Sequence, residues 1–378
     1  MEAVLLFLQG LSSLLWAGFA LLPWRPWSNG EVFDAIDVAG RDEVVSDVTV
    51  LIPARNEATV IQETLQSVQE QGAGLKVILI DDNSEDATAL KATQLSLPNL
   101  RIVQSLPLPA GWSGKLWALE QGRRLITTSY TLLLDADIHL AWGVISALRQ
   151  KMQQQGVSFI SLMAEPSMSL GWEKLLMPAF VHFFKILYPF SQVNSPRTNI
   201  AAAAGGCVLT ETRLLEQIGG FEPIKSAVID DCALAARVKS RGVRIWLGLA
   251  HSLKSIRGYK SLREIWDMVA RSAFAQLQYS AGRLVLCTLV MVLAYWVPVI
   301  TVVSSNPIGR YLALGSLAIM VFTYVPTLRF YHRARAWALV LPIIATLFLA
   351  MTWTSAIRYW RGEHTRWKGR SYRRKEFV

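Results

Sequence analysis

Hydrophobic and polar positions divide the chain into three zones. An uncharged apolar run at residues 4–22 opens it, and three more apolar stretches, 284–303, 311–328 and 336–357, lie towards the other end. Each is about the 20 residues that a bilayer-spanning helix needs. Between them, residues 46–156 alternate two textures. Short continuous apolar runs at 48–52, 76–80, 99–104 and 130–134 have the character of strands buried on both faces. Segments of helical periodicity, 57–71, 85–95, 116–125 and 142–155, separate them. That rhythm predicts an α/β domain with a mostly parallel sheet and helices on its faces. Residues 158–279 are less regular. One stretch there, 172–190, is dense in aromatics and contains Pro178 and Pro189. It suits a core helix and a segment lying in a bilayer interface equally.

The expected division is an N-terminal membrane anchor at 1–24, a catalytic domain at 46–280, membrane segments at 284–357 and a basic tail at 358–378. The first run lacks a basic start and a small-residue cleavage site, which favours an anchor over a signal peptide. Trp24 and Trp27 suit the aqueous interface. Arg329, Arg333 and Arg335 place the loop between the second and third C-terminal stretches in the cytosol, and the catalytic domain with it. Three full crossings would then leave the basic tail outside. A re-entrant or interfacial stretch removes the conflict, and 336–357, with Pro342, is the candidate.

Composition sharpens this picture. The 378 residues are 52% hydrophobic with mean hydropathy +0.31, high for a wholly soluble protein. The formal charge of +10 is partly local. Arg358, Arg361, Arg366, Lys368, Arg370, Arg373, Arg374 and Lys375 crowd the tail, where anionic lipid headgroups are the expected partner. No helix-turn-helix or stacking motif accompanies the charge, so nucleic acid is not expected. Cys207, Cys232 and Cys287 are far apart, without metal-ligand spacing. Cys232 is read as a packing residue.

Chemistry concentrates in three acidic clusters: Asp81-Asp82, Asp135-Ala-Asp137 and Asp230-Asp231. Two follow strand-like runs, and ligands of open α/β sheets bind beyond the carboxyl ends of the strands. Asp135 and Asp137 flank a small residue and can share a divalent cation with phosphate oxygens. A third acid far along the chain can serve as a base. Pro53-Ala-Arg-Asn-Glu57 closes the first strand, and Asn56 could cap the following helix. By itself that segment is equally a plain strand-to-helix turn. Asp81-Asp82-Asn-Ser84 read alone is a helix cap, though it could also hold a ribose or base. Gly111-Trp-Ser-Gly-Lys115 opens a helix with a lysine able to neutralise phosphate, but it is not a P-loop. His139 is read as structural.

Taken in order, PARNE, IDDNSED, GKLWAL, LLLDAD, AAAAGGCVL and IDDCALAARV resemble glycosyltransferase family 2, whose members have a GT-A fold. The resemblance covers most of residues 48–279. GWSGKLWALEQG, LYPF, TNIAAAAGGCVL, AVIDDCALAARVK, RIWLGL and MVARSAFAQLQYS are similar to the hopene-associated subgroup, with ceramide glucosyltransferase more distant. The resemblance implies that Pro53, Ala54, Asn56, Glu57 and Asp82 line the nucleotide pocket and that Lys115 contacts nucleotide or diphosphate. Asp135 and Asp137 would hold the metal and sugar diphosphate, Asp137 as direct ligand. Asp231 would be the general base, with Asp230 in place of the family's glutamate. Gly205 and Gly206 would shape the acceptor side. Many relatives carry Gln/Arg-x-x-Arg-Trp before the C-terminal membrane segments. Here the stretch reads Met268-Val-Ala-Arg271-Ser272, so Arg271 is expected to pair with diphosphate, while the missing tryptophan argues against processive synthesis.

The expectation is a multi-pass protein of a bacterial-type inner membrane with a cytosolic catalytic domain. It would be an inverting glycosyltransferase using a UDP-sugar, Mg²⁺ or Mn²⁺, and a hopanoid or related polyprenoid acceptor. A polysaccharide synthase and a catalytically silent scaffold of the same fold are the alternatives.

Overall fold

Strand β1, Val48–Ala54, is buried at every position, as a continuous apolar run between two layers must be. In the computed structural model, which describes residues 2–35, 44–368 and 370–373, it lies inside an eight-stranded sheet. The other strands are β2 (Lys76–Asp81), β3 (Leu100–Gln104), β4 (Tyr130–Leu134), β5 (Ile138–Leu140), β6 (Phe159–Glu165), β7 (Cys207–Glu211) and β8 (Ile245–Ser255). Their order is β3-β2-β1-β4-β7-β6-β8-β5. The half from β3 to β4 is parallel throughout. The other half is mixed: β7 runs antiparallel to both β4 and β6, and β5 antiparallel to β8. The expected mostly parallel sheet is found, with β6 and β8 also parallel and the antiparallel pairs confined to this second half.

The chain forms two compact units. The sheet belongs to the one made of Glu31–Ser167, Phe190–Gly258 and Glu363–Val378. Its core joins Val50, Ile52, Leu79 and Leu132 on the strands to Ile61, Leu65, Ile145 and Leu148 on the helices Ile61–Gln69 and Val144–Gln155. The helix Gly114–Arg123 lies on β1 so closely that a Cβ at Gly122 would come within 2.2 Å of the Leu51 side chain. Only glycine permits that approach.

Residues Met1–Gly30, Met168–Pro189 and Tyr259–Gly362 make up the other unit. Its described residues include four helices long and apolar enough to cross a membrane: Glu2–Leu21, Ala281–Thr301, Pro307–Phe330 and Arg335–Trp360. Polar residues tie them. Gln9 Nε2 donates to Ser316 Oγ at 3.1 Å, and Trp16 Nε1 donates to the Ala294 carbonyl at 2.7 Å. Such bonds between apolar helices average about 0.6 kcal/mol. The aromatic stretch forms the helix Gly171–Leu187. Its Leu176 and Ala179 join a cluster with Trp16, Tyr295, Tyr324 and Phe348, with Phe180 and Phe183 packed against it.

Candidate active site

Two strand-end loops build the first wall. Asp82 N–H donates to the Ala54 carbonyl at 2.8 Å, which locks the loop after β2 to the end of β1. Asn56 does not cap a helix. It sits at φ 52°, and its Oδ1 accepts from the Glu85 N–H at 2.9 Å. The helix begins later, at Ile61, with no side-chain cap. Asparagine tolerates the left-handed region better than most residues, which suits it to this bridging turn. Pro53 and Ala54 form the end of β1, and Ala54, Glu57 and Asp82 are buried.

Lys115 is the centre of the second wall. The helix Gly114–Arg123 starts one residue before it. Its Nζ lies 2.9 Å from Asp135 Oδ1 and 3.0 Å from Asp230 Oδ2. Burial works against its charge, but Asp135, Asp230 and Asp231 outweigh burial and hold the amine protonated far above its usual range. Asp230 and Asp231 open the helix Asp230–Lys239, where the positive end of the macrodipole favours carboxylates. Asp231 Oδ1 accepts from the Cys232 N–H at 2.7 Å. Cys232 itself is buried, with Sγ 3.6 Å from the Ala203 carbonyl.

The Asp231 carboxyl is partly buried. That desolvation, with the neighbouring Asp230 charge, pushes it well above the ordinary carboxylate range, and Lys115 offsets only part of the rise. Gly205 lies directly opposite. A Cβ there would stand 3.2 Å from Asp231 Oδ2 and 3.3 Å from Lys115 Nζ. Gly206 receives the Asp135 N–H at 3.1 Å and so fixes the acidic turn after β4.

Asp137 faces a third group, unexpected from the sequence. Arg257, just past β8, reaches Asp137 Oδ2 with Nε at 3.2 Å and pairs with Glu57 Oε2 through Nη2. Lys368 Nζ lies 2.6 Å from Glu57 Oε1. Burial, reinforced by Asp135, pushes the Asp137 carboxyl up to about 6, with Lys368 and Lys115 pulling the other way.

Among the described residues no three His, Cys, Asp or Glu side chains converge as a metal cluster. The protein offers the pair Asp135 and Asp137. Their charges repel and Asp137 is desolvated, which favours a bound cation. Mg²⁺-type ions are commonly held by one or two carboxylates with substrate phosphates completing the shell. The pair fits such an ion.

The structure brings together Lys115, Asp135, Asp230, Asp231 and Gly205 in one cleft that Pro53 also lines. Arg271 is not in this unit. It is the exposed residue that ends the helix Leu262–Ala270 of the other unit. Arg257 stands on the acidic group. Lys368, assigned from sequence to lipid headgroups, is bound to Glu57. The headgroup expectation for Arg366, Arg370, Arg373, Arg374 and Lys375 falls on side chains outside the described residues. The one signal in the sequence for Arg257 is its place just beyond a strand end.

Comparison with known proteins agrees with this architecture. Residues 49–219 match the family model for glycosyl transferase family 2. The 4,4'-diaponeurosporenoate glycosyltransferases of Staphylococcus aureus strains MRSA252 and bovine RF122 / ET3-1 are each 25% identical over 343 residues, covering 86% of this chain and 88% of theirs. A solved mannosyltransferase from Pyrobaculum calidifontis, in complex with GDP-Man and Mn2+, superposes with a TM-score of 0.56 at 19% identity, over 95% of this chain and all of that one. That likeness shows a shared fold. With strand-end acids, a lysine-centred carboxylate cluster and a matching sheet, the chain is a glycosyltransferase of GT-A fold that resembles glycosyl transferase family 2 over residues 49–219.

Proposed function

We propose that this glycosyltransferase moves a sugar from a nucleotide-sugar, a UDP-sugar, to a membrane polyprenoid, with inversion at the anomeric carbon. The observation that carries the reading is Asp231, a carboxyl poised to accept a proton, facing the close backbone approach at Gly205 and set beside the Asp135-Ala-Asp137 turn. The acceptor hydroxyl loses its proton to Asp231, which is its general base. The freed oxygen attacks the anomeric carbon as the bond to the diphosphate breaks. Asp230 and Lys115 hold Asp231 and Asp135 in register. Pro53, Ala54, Asn56, Glu57 and Asp82 line the nucleotide side, and Arg257 supplies a planar fork for phosphate oxygens. Gly205 and Gly206 leave room for the acceptor. Mg²⁺ or Mn²⁺, held by Asp137 and Asp135, would offset charge on the departing diphosphate. The Pyrobaculum protein's GDP-Man and Mn2+ support this donor chemistry.

The apolar helices support a lipid acceptor in the membrane, with the catalytic unit in the cytosol where nucleotide-sugars are made. The relatives named for diaponeurosporenoate support the polyprenoid class, to which a hopanoid acceptor also belongs. The test is mass spectrometry of the purified full-length protein incubated with a panel of nucleotide-sugars, Mn²⁺ and extracted polyprenoid lipids. A single-sugar glycolipid with inverted anomeric configuration is expected. Polymer formation, or retention of configuration, would refute the reading.

A further inference from the structure

We propose that Lys368, at the turn of the C-terminal hairpin, is a donor-site residue whose amine neutralises the donor diphosphate, with Glu57 as the positioning residue that presents Lys368 and Arg257 together. The inference rests on the nucleotide-sugar reading above and adds to it a residue from the far end of the chain. The hairpin is formed by two strands, β9 (Glu363–Trp367) and β10 (Arg370–Arg373), paired so that Trp367 stands opposite Arg370. Lys368 directly follows Trp367 and takes φ 47°.

This turn is held at the strand-end wall by two bonds from one short segment. Arg55 Nε donates to the Lys368 carbonyl at 3.2 Å, and Glu57 binds the Lys368 amine. Arg55 is itself anchored to the second strand-end loop, donating to the Asp82 and Asn83 carbonyls at 2.6 and 2.8 Å. Backbone and side chain of Lys368 are therefore both positioned. A lysine serving only as a solvated tail charge needs neither contact.

The charge arrangement points to an anion. Glu57 is 5% exposed and carries one cation on each oxygen, Lys368 and Arg257. Arg257 also reaches Asp137, so both cations stand beside the Asp135-Ala-Asp137 turn where phosphates are expected. Both keep an outer face: the Lys368 side chain is 24% exposed and that of Arg257 32%. A diphosphate brings negative charge and oxygens for the Arg257 fork and the Lys368 ammonium.

The test is calorimetric titration of the detergent-purified full-length protein, with Mn²⁺, using UDP, GDP, UMP and GMP as probes. Lys368→Ala should weaken diphosphate binding about 10- to 100-fold, the worth of a charge-assisted contact. Monophosphate binding should change little, and Lys368→Arg should restore diphosphate affinity. If Lys368→Ala binds diphosphate as wild type does, or loses mono- and diphosphate affinity equally, Lys368 is only a latch for the hairpin and the inference falls while the donor reading stands. If the wild type binds neither diphosphate, both fall.

Discussion

Lys115→Met gives the sharpest measure of the acidic cleft. The substitution keeps the length and apolar stem of the side chain but removes the charge that Asp135 and Asp230 share at 2.9 and 3.0 Å. At an effective dielectric of about 20, each contact is worth roughly 5 kcal/mol of gross attraction. The net is much smaller, because desolvation opposes it. Breaking a buried pair costs about 3–5 kcal/mol. Here the side chains of Lys115, Asp135 and Asp230 are 19%, 33% and 24% exposed, so water screens part of that, and about 2 kcal/mol is expected. In the catalytic unit this corresponds to a melting temperature lower by roughly 4–8 °C at pH 8.

The cost should depend on pH with a definite sign. Without the ammonium, the Asp231 carboxyl, already raised by burial and by Asp230, loses the one charge that offsets the rise and is pushed up further, so the folded state binds more protons than the unfolded state between its two pKa values. Stability of the variant then falls as pH rises through that window and returns as pH drops towards the unfolded carboxylate range near 4. The gap between variant and wild type should therefore shrink from pH 8 to pH 5 in differential scanning fluorimetry of the detergent-solubilised protein. Equal melting temperatures at pH 8, or a gap that widens on acidification, would show that Lys115 does not hold the cluster.

Three further outcomes follow from the same site. Asp231→Asn should slow glycosyl transfer by about 100- to 10,000-fold with UDP affinity little changed. In the wild type, the acid limb of kcat/KM should lie well above the usual carboxylate range; a limb near 4 would contradict the raised Asp231 carboxyl. EDTA should abolish transfer, Mg²⁺ or Mn²⁺ should restore it, and Asp137→Asn should blunt metal-dependent UDP binding without unfolding the protein; full activity in metal-free enzyme would exclude the carboxylate-pair role. Gly205→Ala puts a methyl 3.2 Å from Asp231 Oδ2, so kcat should fall at least about 10-fold, as sub-ångström displacement of a base costs, with far-ultraviolet circular dichroism unchanged.

The parallel half of the sheet was legible because its strands are buried on both faces and announce themselves as apolar runs: KVILI became β2 and YTLLL became β4. The antiparallel half was not. Strand β8 contains Gly248, His251 and Lys254, which break the apolar run, and β5 is only three residues long. Pairing is a long-range property in any case, and no local pattern announces that β7 separates β4 from β6. At the site, the acids were readable because strand ends and helix starts are local features. Arg257 and Lys368 were not, since each acquires its meaning by meeting Glu57 from about 200 and 310 residues away. Asn56 illustrates the opposite failure. A capping residue was correctly suspected of local hydrogen bonding, but its acceptor oxygen serves the neighbouring loop.

The grip of Arg55 and Glu57 on the C-terminal hairpin also sets a rule of parity. The chain leaves the catalytic unit after Gly258 and rejoins it at Glu363. Any excursion that begins and ends in one aqueous compartment enters and leaves a bilayer an even number of times. Three of the long apolar helices, Ala281–Thr301, Pro307–Phe330 and Arg335–Trp360, lie on that excursion, and we propose that an even number of them crosses the bilayer. The same rule applies to Met168–Pro189, which leaves and returns with the single helix Gly171–Leu187 and so makes no net crossing. Only Glu2–Leu21, which precedes the catalytic unit, escapes the constraint. A donor site completed by the last residues of the chain would therefore be assembled only when the membrane passage before them has closed its loop.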